Sequence, residues 1–147
     1  MTVAEELIDS YLHDPIRSGY HILVAEADSA TAGYVCYGPT PLTEGTWDIY
    51  WVVVAQEKQG QGIGTALMKS AEKEMAKAKG RLVIIETSSA PGYEKARRFY
   101  INHGYEIVAR IADFYAPGDD KLILRKHLRR NRRQLSSKTP LASSAKS

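Results

Sequence analysis

The stretch Gln59-Gly60-Gln61-Gly62-Ile63-Gly64 stands between a β-branched and aromatic run, Thr46 to Ala55, and an amphipathic run, Thr65 to about Lys79. Clustered glycines cost backbone entropy that a bare connection does not require. They suit a turn that takes positive φ and lets the main chain approach a bulky group. The helix after the turn leaves its first amides unpaired and aims the positive end of its dipole at the turn. Strand, glycine turn and helix N-terminus in that order form a pyrophosphate site. Two familiar versions do not match. The spacing is Gly-x-Gly-x-Gly rather than the dinucleotide Gly-x-Gly-x-x-Gly, with only Glu86 to act as a ribose-binding acid. Thr65-Ala66 stands where a P-loop has Lys followed by Ser or Thr.

The rest of the pattern predicts a single α+β domain. Thr2 to His13 reads as a helix, with Val3, Leu7, Ile8, Tyr11 and Leu12 on one face. His21 to Ala27 and Ala32 to Tyr37 read as a hairpin. Thr46 to Ala55 is the strongest strand, and its unbroken apolar character predicts burial on both faces. Leu67, Met68, Ala71, Met75 and Ala78 keep helical spacing up to Gly80, which stops that helix. Arg81 to Thr87 is a strand, and a helix runs from Pro91 or Gly92 to about His103. Tyr105 to Ile111 and Lys121 to Lys126 are strands, joined by a loop that holds Pro117-Gly118-Asp119-Asp120.

A second motif, Ala96-Arg97-Arg98-Phe99-Tyr100-Ile101-Asn102-His103-Gly104-Tyr105, follows the first by about 35 residues. The glycine turn is similar to the Gln/Arg-x-x-Gly-x-Gly/Ala turn of the GNAT N-acetyltransferase superfamily. The second motif resembles that family's Ala-x-x-Phe/Leu-Tyr-x-x-x-Gly-Phe/Tyr. The resemblance covers about His21 to Leu128. It implies a mixed, mostly antiparallel twisted sheet flanked by helices, acetyl-CoA as co-substrate and no metal. Family members open with a strand and two helices before the first hairpin, whereas one helix is read here. The resemblance therefore implies a sheet lacking its usual first strand, an altered acceptor wall and an edge open to a second copy.

Forming an amide from a thioester requires a deprotonated amine, hydrogen-bond donors for the oxyanion and a proton for the departing thiolate. The resemblance implies Tyr100 as the general acid. For the base it implies Asp48, early on the central strand, where alternation places Asp48, Tyr50, Val52 and Val54 on one face and Trp47 and Trp51 on the other. Glu86, at the end of the next strand, is the rival. Val52, Val53 and Val54 are expected to hold the thioester and pantetheine by main chain. Gln59, Gly60, Gln61, Gly62, Ile63, Gly64 and Thr65 hold the pyrophosphate. Tyr93 stands where the family often has Asn, and both it and Tyr100 are expected at the cofactor. Asp119 and Asp120 are turn residues first, with a cationic amine as their functional alternative.

Composition limits the partners. The chain has 147 residues and a formal charge of +3, yet eight of its 20 bases and none of its acids lie from Arg125 onward. The remaining 12 bases face all 17 acids, so the body is acidic and the basic character belongs to the tail. That argues against nucleic acid as the domain's partner. Residues 1–128 are expected to form the transferase domain, and 129–147 a basic, disordered tail. The single cysteine, Cys36, excludes an internal disulfide and reads as a buried thiol. His13, His21, His103 and His127 lack ligand spacing and read as structural. No run approaches a membrane span, and an acidic N-terminus argues for the cytoplasm. The acceptor reads as a small-molecule amine or an amino acid. The alternatives are a peptide N-terminus, or a non-catalytic acyl-CoA-binding module with a nucleic-acid-contacting tail.

Overall fold

The computed structural model describes residues 19–27 and 29–128. The helix expected over Thr2 to His13, the question of a missing first strand and the basic tail fall outside those residues. The described strands are β1 (His21–Ala27), β2 (Ala30–Pro39), β3 (Thr46–Val54), β4 (Leu82–Ser88), β5 (Glu106–Ala116) and β6 (Asp119–His127). Helix α1 (Ile63–Lys77) joins β3 to β4, and α2 (Glu94–Asn102) joins β4 to β5. The six strands form one sheet in the order β1-β2-β3-β4-β6-β5. Only β3 and β4 run parallel. The fold is therefore the mixed, mostly antiparallel α+β arrangement that the resemblance implies. None of the described helices is long and apolar enough to cross a membrane.

Helix α1 covers one face of the sheet. Its Leu67, Met68, Ala71 and Met75 are buried against Val35, Tyr37, Trp47, Ile49, Val83, Ile85, Leu122 and Leu124. These strand residues alternate, as period-two side chains on one face must. Cys36 belongs to the other face and is fully buried, which pushes its thiol up to about 12.

The alternation slips once on β3. Trp51 pairs with Cys36 but Ile49 pairs with Tyr37, so Tyr50 is an extra residue, a bulge. Below it, Trp47 and Ile49 face α1. Above it, Val52 pairs with Val35 and packs against the same core. Asp48, paired with Gly38, and Trp51 face the other way. The expected common face of Asp48, Tyr50, Val52 and Val54 is thus broken by the bulge, as is that of Trp47 and Trp51. Burial on both faces also fails along the second half of β3. Tyr50, Trp51 and Val53 are 39–40% exposed.

A second departure explains this exposure. Parallel pairing of β3 with β4 ends at Ile49 and Ile85. Both strands continue, β3 to Val54 and β4 to Ser88, without pairing to each other. The sheet opens into a wedge there. Main-chain groups on the inner edge of β3 are left without ladder partners, and something else must satisfy them.

The helix ends are defined by their caps. After α2, Gly104 takes φ +93°, its amide bonds Ile101 O at 3.0 Å, and Tyr105 N–H bonds Tyr100 O at 3.1 Å. This is a Schellman cap, with the Tyr100 and Tyr105 rings 6.4 Å apart. The Tyr-x-x-x-Gly-Tyr part of the second motif is therefore a helix stop as well as a source of Tyr100. At the end of α1 the left-handed residue is Lys79, φ +65°, and Gly80 N–H bonds Met75 O at 2.8 Å. Gly80 is required for another reason. A Cβ there would sit 2.8 Å from Met75 O and 2.9 Å from the Trp47 ring.

Candidate active site

Two clefts flank Tyr100. The first, about 430 Å³, is built on the glycine turn and the first turn of α1. Gly60 and Gly62 have φ of +83° and +79°, and space is open where a Cβ would stand. Gly62 caps α1 with no side chain, so the amides of Ile63, Gly64 and Thr65 have no helical acceptor. Gly64 serves packing instead: its Cβ would lie 3.2 Å from the Phe99 ring. Lys58 and Lys95 line the same cleft and bring positive charge to it. Gln59 braces the turn. Its Nε2 donates to Val54 O at 3.3 Å, and its Oε1 accepts from Lys95 Nζ at 3.0 Å. Unpaired helix amides, two lysines and an open glycine turn fit a pyrophosphate. The apolar remainder of the cleft, Val52, Val54, Ala96 and Phe99, suits a thin chain leading inward.

His103 holds this side together. Its Nδ1 lies 2.8 Å from Phe99 O, which can only accept, so Nδ1 carries the proton. Nε2 lies 3.0 Å from the Thr65 hydroxyl oxygen, within hydrogen-bonding distance. The histidine joins the first turn of α1 to α2, a structural role.

The second cleft, about 420 Å³, occupies the wedge between β3 and β4. Tyr50, Trp51, Tyr93 and Tyr115 line it, with Glu86 and Asp119. Val52, Ala96 and Tyr100 line both clefts, so Tyr100 stands where they meet. Burial raises the Tyr100 phenol above its ordinary value, keeping the proton on the oxygen at neutral pH.

Glu86 is in the second cleft, with its Oε1 2.8 Å from Lys121 Nζ. Asp48 lines neither cleft. Its Oδ2 accepts from the Thr40 hydroxyl at 2.7 Å. It still senses the wedge, since its charge contributes to the raised phenol of Tyr50, after burial. Tyr93 belongs to the second cleft rather than to the glycine-turn cleft. Val53 pairs with Tyr34 on the sheet face away from α1, and neither it nor Gln61 lines either cleft. Asp120 lies in the first pair of residues of β6 rather than in the turn, which is Pro117-Gly118, and its carboxylate accepts from Asp113 N–H at 2.8 Å and from Arg110. Asp119 accepts a hydrogen bond from the Ser88 hydroxyl and lines the second cleft.

Sequence reading missed Lys58, Lys95 and Phe99 in the first cleft and Tyr115 in the second. Lys95, Ala96, Phe99 and Tyr100 fall at i, i+1, i+4 and i+5, one helix face, so spacing alone could have supplied Lys95. Tyr115 carried no such signal. It sits where the β5–β6 register jumps between Ile111 and Ala116, beside Asp113 in the left-handed region. Among the described residues no group of three potential ligands could hold a metal.

Comparison with known proteins adds an independent line. Residues 18–107 match the family model described as the acetyltransferase (GNAT) domain. An uncharacterised N-acetyltransferase of Methanocaldococcus jannaschii is 31% identical over 102 residues, 69% of this chain and 62% of that one. The chain thus spans less than two thirds of that relative. A crystal structure assigned to the GNAT family, from Desulfovibrio desulfuricans, superposes with a TM-score of 0.82 at 43% identity, covering 86% of this chain and 80% of that one. The ribosomal-protein-alanine N-acetyltransferase of Brucella melitensis gives 0.70 at 25% identity, covering 87% and 81%.

Proposed function

The chain belongs to the GNAT acetyltransferase family, and on that premise we propose that it transfers acetyl from acetyl-CoA to a small primary amine bound in the wedge. One observation carries the reading: the phosphate-type cleft and the aromatic cleft meet at a partly buried, protonated tyrosine, Tyr100. The glycine turn, Lys58 and Lys95 hold the pyrophosphate, and Val52 with Val54 lead the thioester to the junction.

In the second cleft Glu86 takes a proton from the bound ammonium, through a water. The amine lone pair attacks the carbonyl carbon, and a C–N bond forms as the C–S bond breaks. Unpaired amides on the inner edge of β3 supply donors to the oxygen that gains charge. Tyr100 gives its proton to the departing sulfur, the acylated nitrogen sheds its second proton to restore the phenol, and Glu86 releases its proton to solvent. The balance is acetyl-CoA and ammonium to N-acetyl amine, free thiol and one proton. Glu86 is preferred to Asp48 because it lines the cleft and Asp48 does not.

The test is thiol release on mixing the full chain with acetyl-CoA and amines, with the acetylated amine identified by mass spectrometry. Release that tracks acetylated product supports the reading. Tight acetyl-CoA binding with no product across a broad amine panel would sink it.

A further inference from the structure

We infer that the second cleft selects a small amine carrying a single positive charge on an aromatic body. The inference rests on the transferase reading above and names its acceptor class.

The walls come first. Tyr50, Trp51, Tyr93 and Tyr115 are 39–51% exposed, yet they surround one cavity rather than being scattered. Half-exposed rings that converge on a cavity mark a binding surface. Their π faces attract a cation, and their flat sides accept a ring.

Charge then fixes the number of positive groups. Glu86 is countered by Lys121 at 2.8 Å, and Lys121 Nζ is itself held 4.4 Å from the centre of the Phe114 ring. Asp119 accepts from the neutral hydroxyl of Ser88 rather than from a cation. The cleft therefore carries one uncompensated negative charge, which matches one ammonium. A polyamine would bring charges with no counter-charge. A free amino acid would set its carboxylate against Asp119 and Glu86. The volume of about 420 Å³ suits a single small molecule.

The experiment uses the full chain with 2-phenylethylamine, 2-cyclohexylethylamine, phenylalanine, spermidine and a short peptide with N-terminal alanine. Specificity is read as kcat/KM by thiol release. Binding of each amine is read by calorimetry with CoA present, where no turnover occurs. Phenylethylamine is expected to exceed its cyclohexyl analogue by about 2–12-fold, the worth of an aromatic ring meeting aromatic walls, since the ammonium is common to both. It should exceed phenylalanine, spermidine and the peptide by at least as much. Asp119→Asn keeps an oxygen for Ser88 but removes the charge. It should weaken phenylethylamine binding about 10-fold and leave acetyl-CoA affinity unchanged. Preference for spermidine, phenylalanine or the peptide overturns the inference, as does an unchanged phenylethylamine affinity in Asp119→Asn. The binding arm separates the two readings. Selective phenylethylamine binding without acetylation supports this cleft while counting against transfer. Acetylation of other amines, with no phenylethylamine binding, does the reverse.

Discussion

Tyr100 is half-hidden in the second motif, and only its neighbours say what its hydroxyl can do. Burial disfavours the phenolate, so the folded-state value lies above the ordinary 10.0. The protonated, donating form therefore persists through neutral and mildly alkaline pH. Tyr100→Phe removes one hydroxyl and keeps the ring, so folding should survive while kcat falls about 10²–10⁴-fold. Acetyl-CoA affinity should hold. The wild-type rate should lose its Tyr100-dependent part only above pH 10; a decline beginning near pH 8 would assign the proton to another group. The base separates in the same assay. Glu86→Gln should reduce kcat about 10²-fold, most severely at low pH, where the amine is most fully protonated. Asp48→Asn keeps an acceptor for Thr40 and should change little. The reverse ranking would return the base to Asp48. Residue identity made both carboxylates visible in the sequence. It could not rank them, because the bulge at Tyr50 adds one residue and turns Asp48 away from Val52.

At the level of elements, the glycine turn and both helices were legible because periodicity and punctuation agreed. What the pattern could not specify was which residue adopts the left-handed conformation at a helix end. Gly80 reads as the stop after α1, yet Lys79 takes φ +65° and Gly80 fills a tight gap against Met75 and Trp47. A side chain in that region is strained by roughly 1 kcal/mol, which glycine avoids at some entropic cost. Lys79→Gly should therefore stabilise the fold by about 0.5 kcal/mol. Gly80→Ala should destabilise it by about 1–3 kcal/mol, since the added methyl meets main chain and an indole ring. Urea denaturation of the two variants checks both signs. If Lys79→Gly proved the more destabilising, the cap assignment would be wrong. Strand ends were misread for a related reason. β5 extends to Ala116 because Asp113 bends the strand rather than ending it, with its N–H held by Asp120.

For the molecule as a whole, the succession of strands and helices gave the order of elements and the family resemblance implied a mixed sheet, but the wedge was invisible. Nothing in a run such as Tyr50 to Val54 distinguishes a strand paired on both edges from one whose partner has diverged. The same apolar letters serve a core or a ligand wall. The wedge also makes the fold incomplete by its own means: β3 and β4 part after Ile49 and Ile85, and α1 and α2 meet across a cleft of about 430 Å³. A ligand seated on the glycine turn and running down β3 would bridge α1, α2 and β3, an arrangement absent from the unfolded chain. Binding to the folded state alone stabilises by mass action, about 2.7 kcal/mol at one hundred times Kd. For a domain of this size that corresponds to a rise in Tm of roughly 5–15 °C. CoA and acetyl-CoA should give this rise. Desulfo-pantetheine fragments lacking the pyrophosphate should give little, because the amides of Ile63, Gly64 and Thr65 then stay without a partner. Gly62→Glu places a side chain and a like charge in the anion site, at a position with φ +79°. It should abolish the CoA-dependent rise, even though its own Tm falls somewhat from the strained backbone. The comparison is therefore the shift on adding ligand, measured by thermal scan for each protein at equal ligand concentration. An undiminished shift in Gly62→Glu would place the ligand elsewhere on the molecule, and with it the direction from which the acetyl group reaches Tyr100.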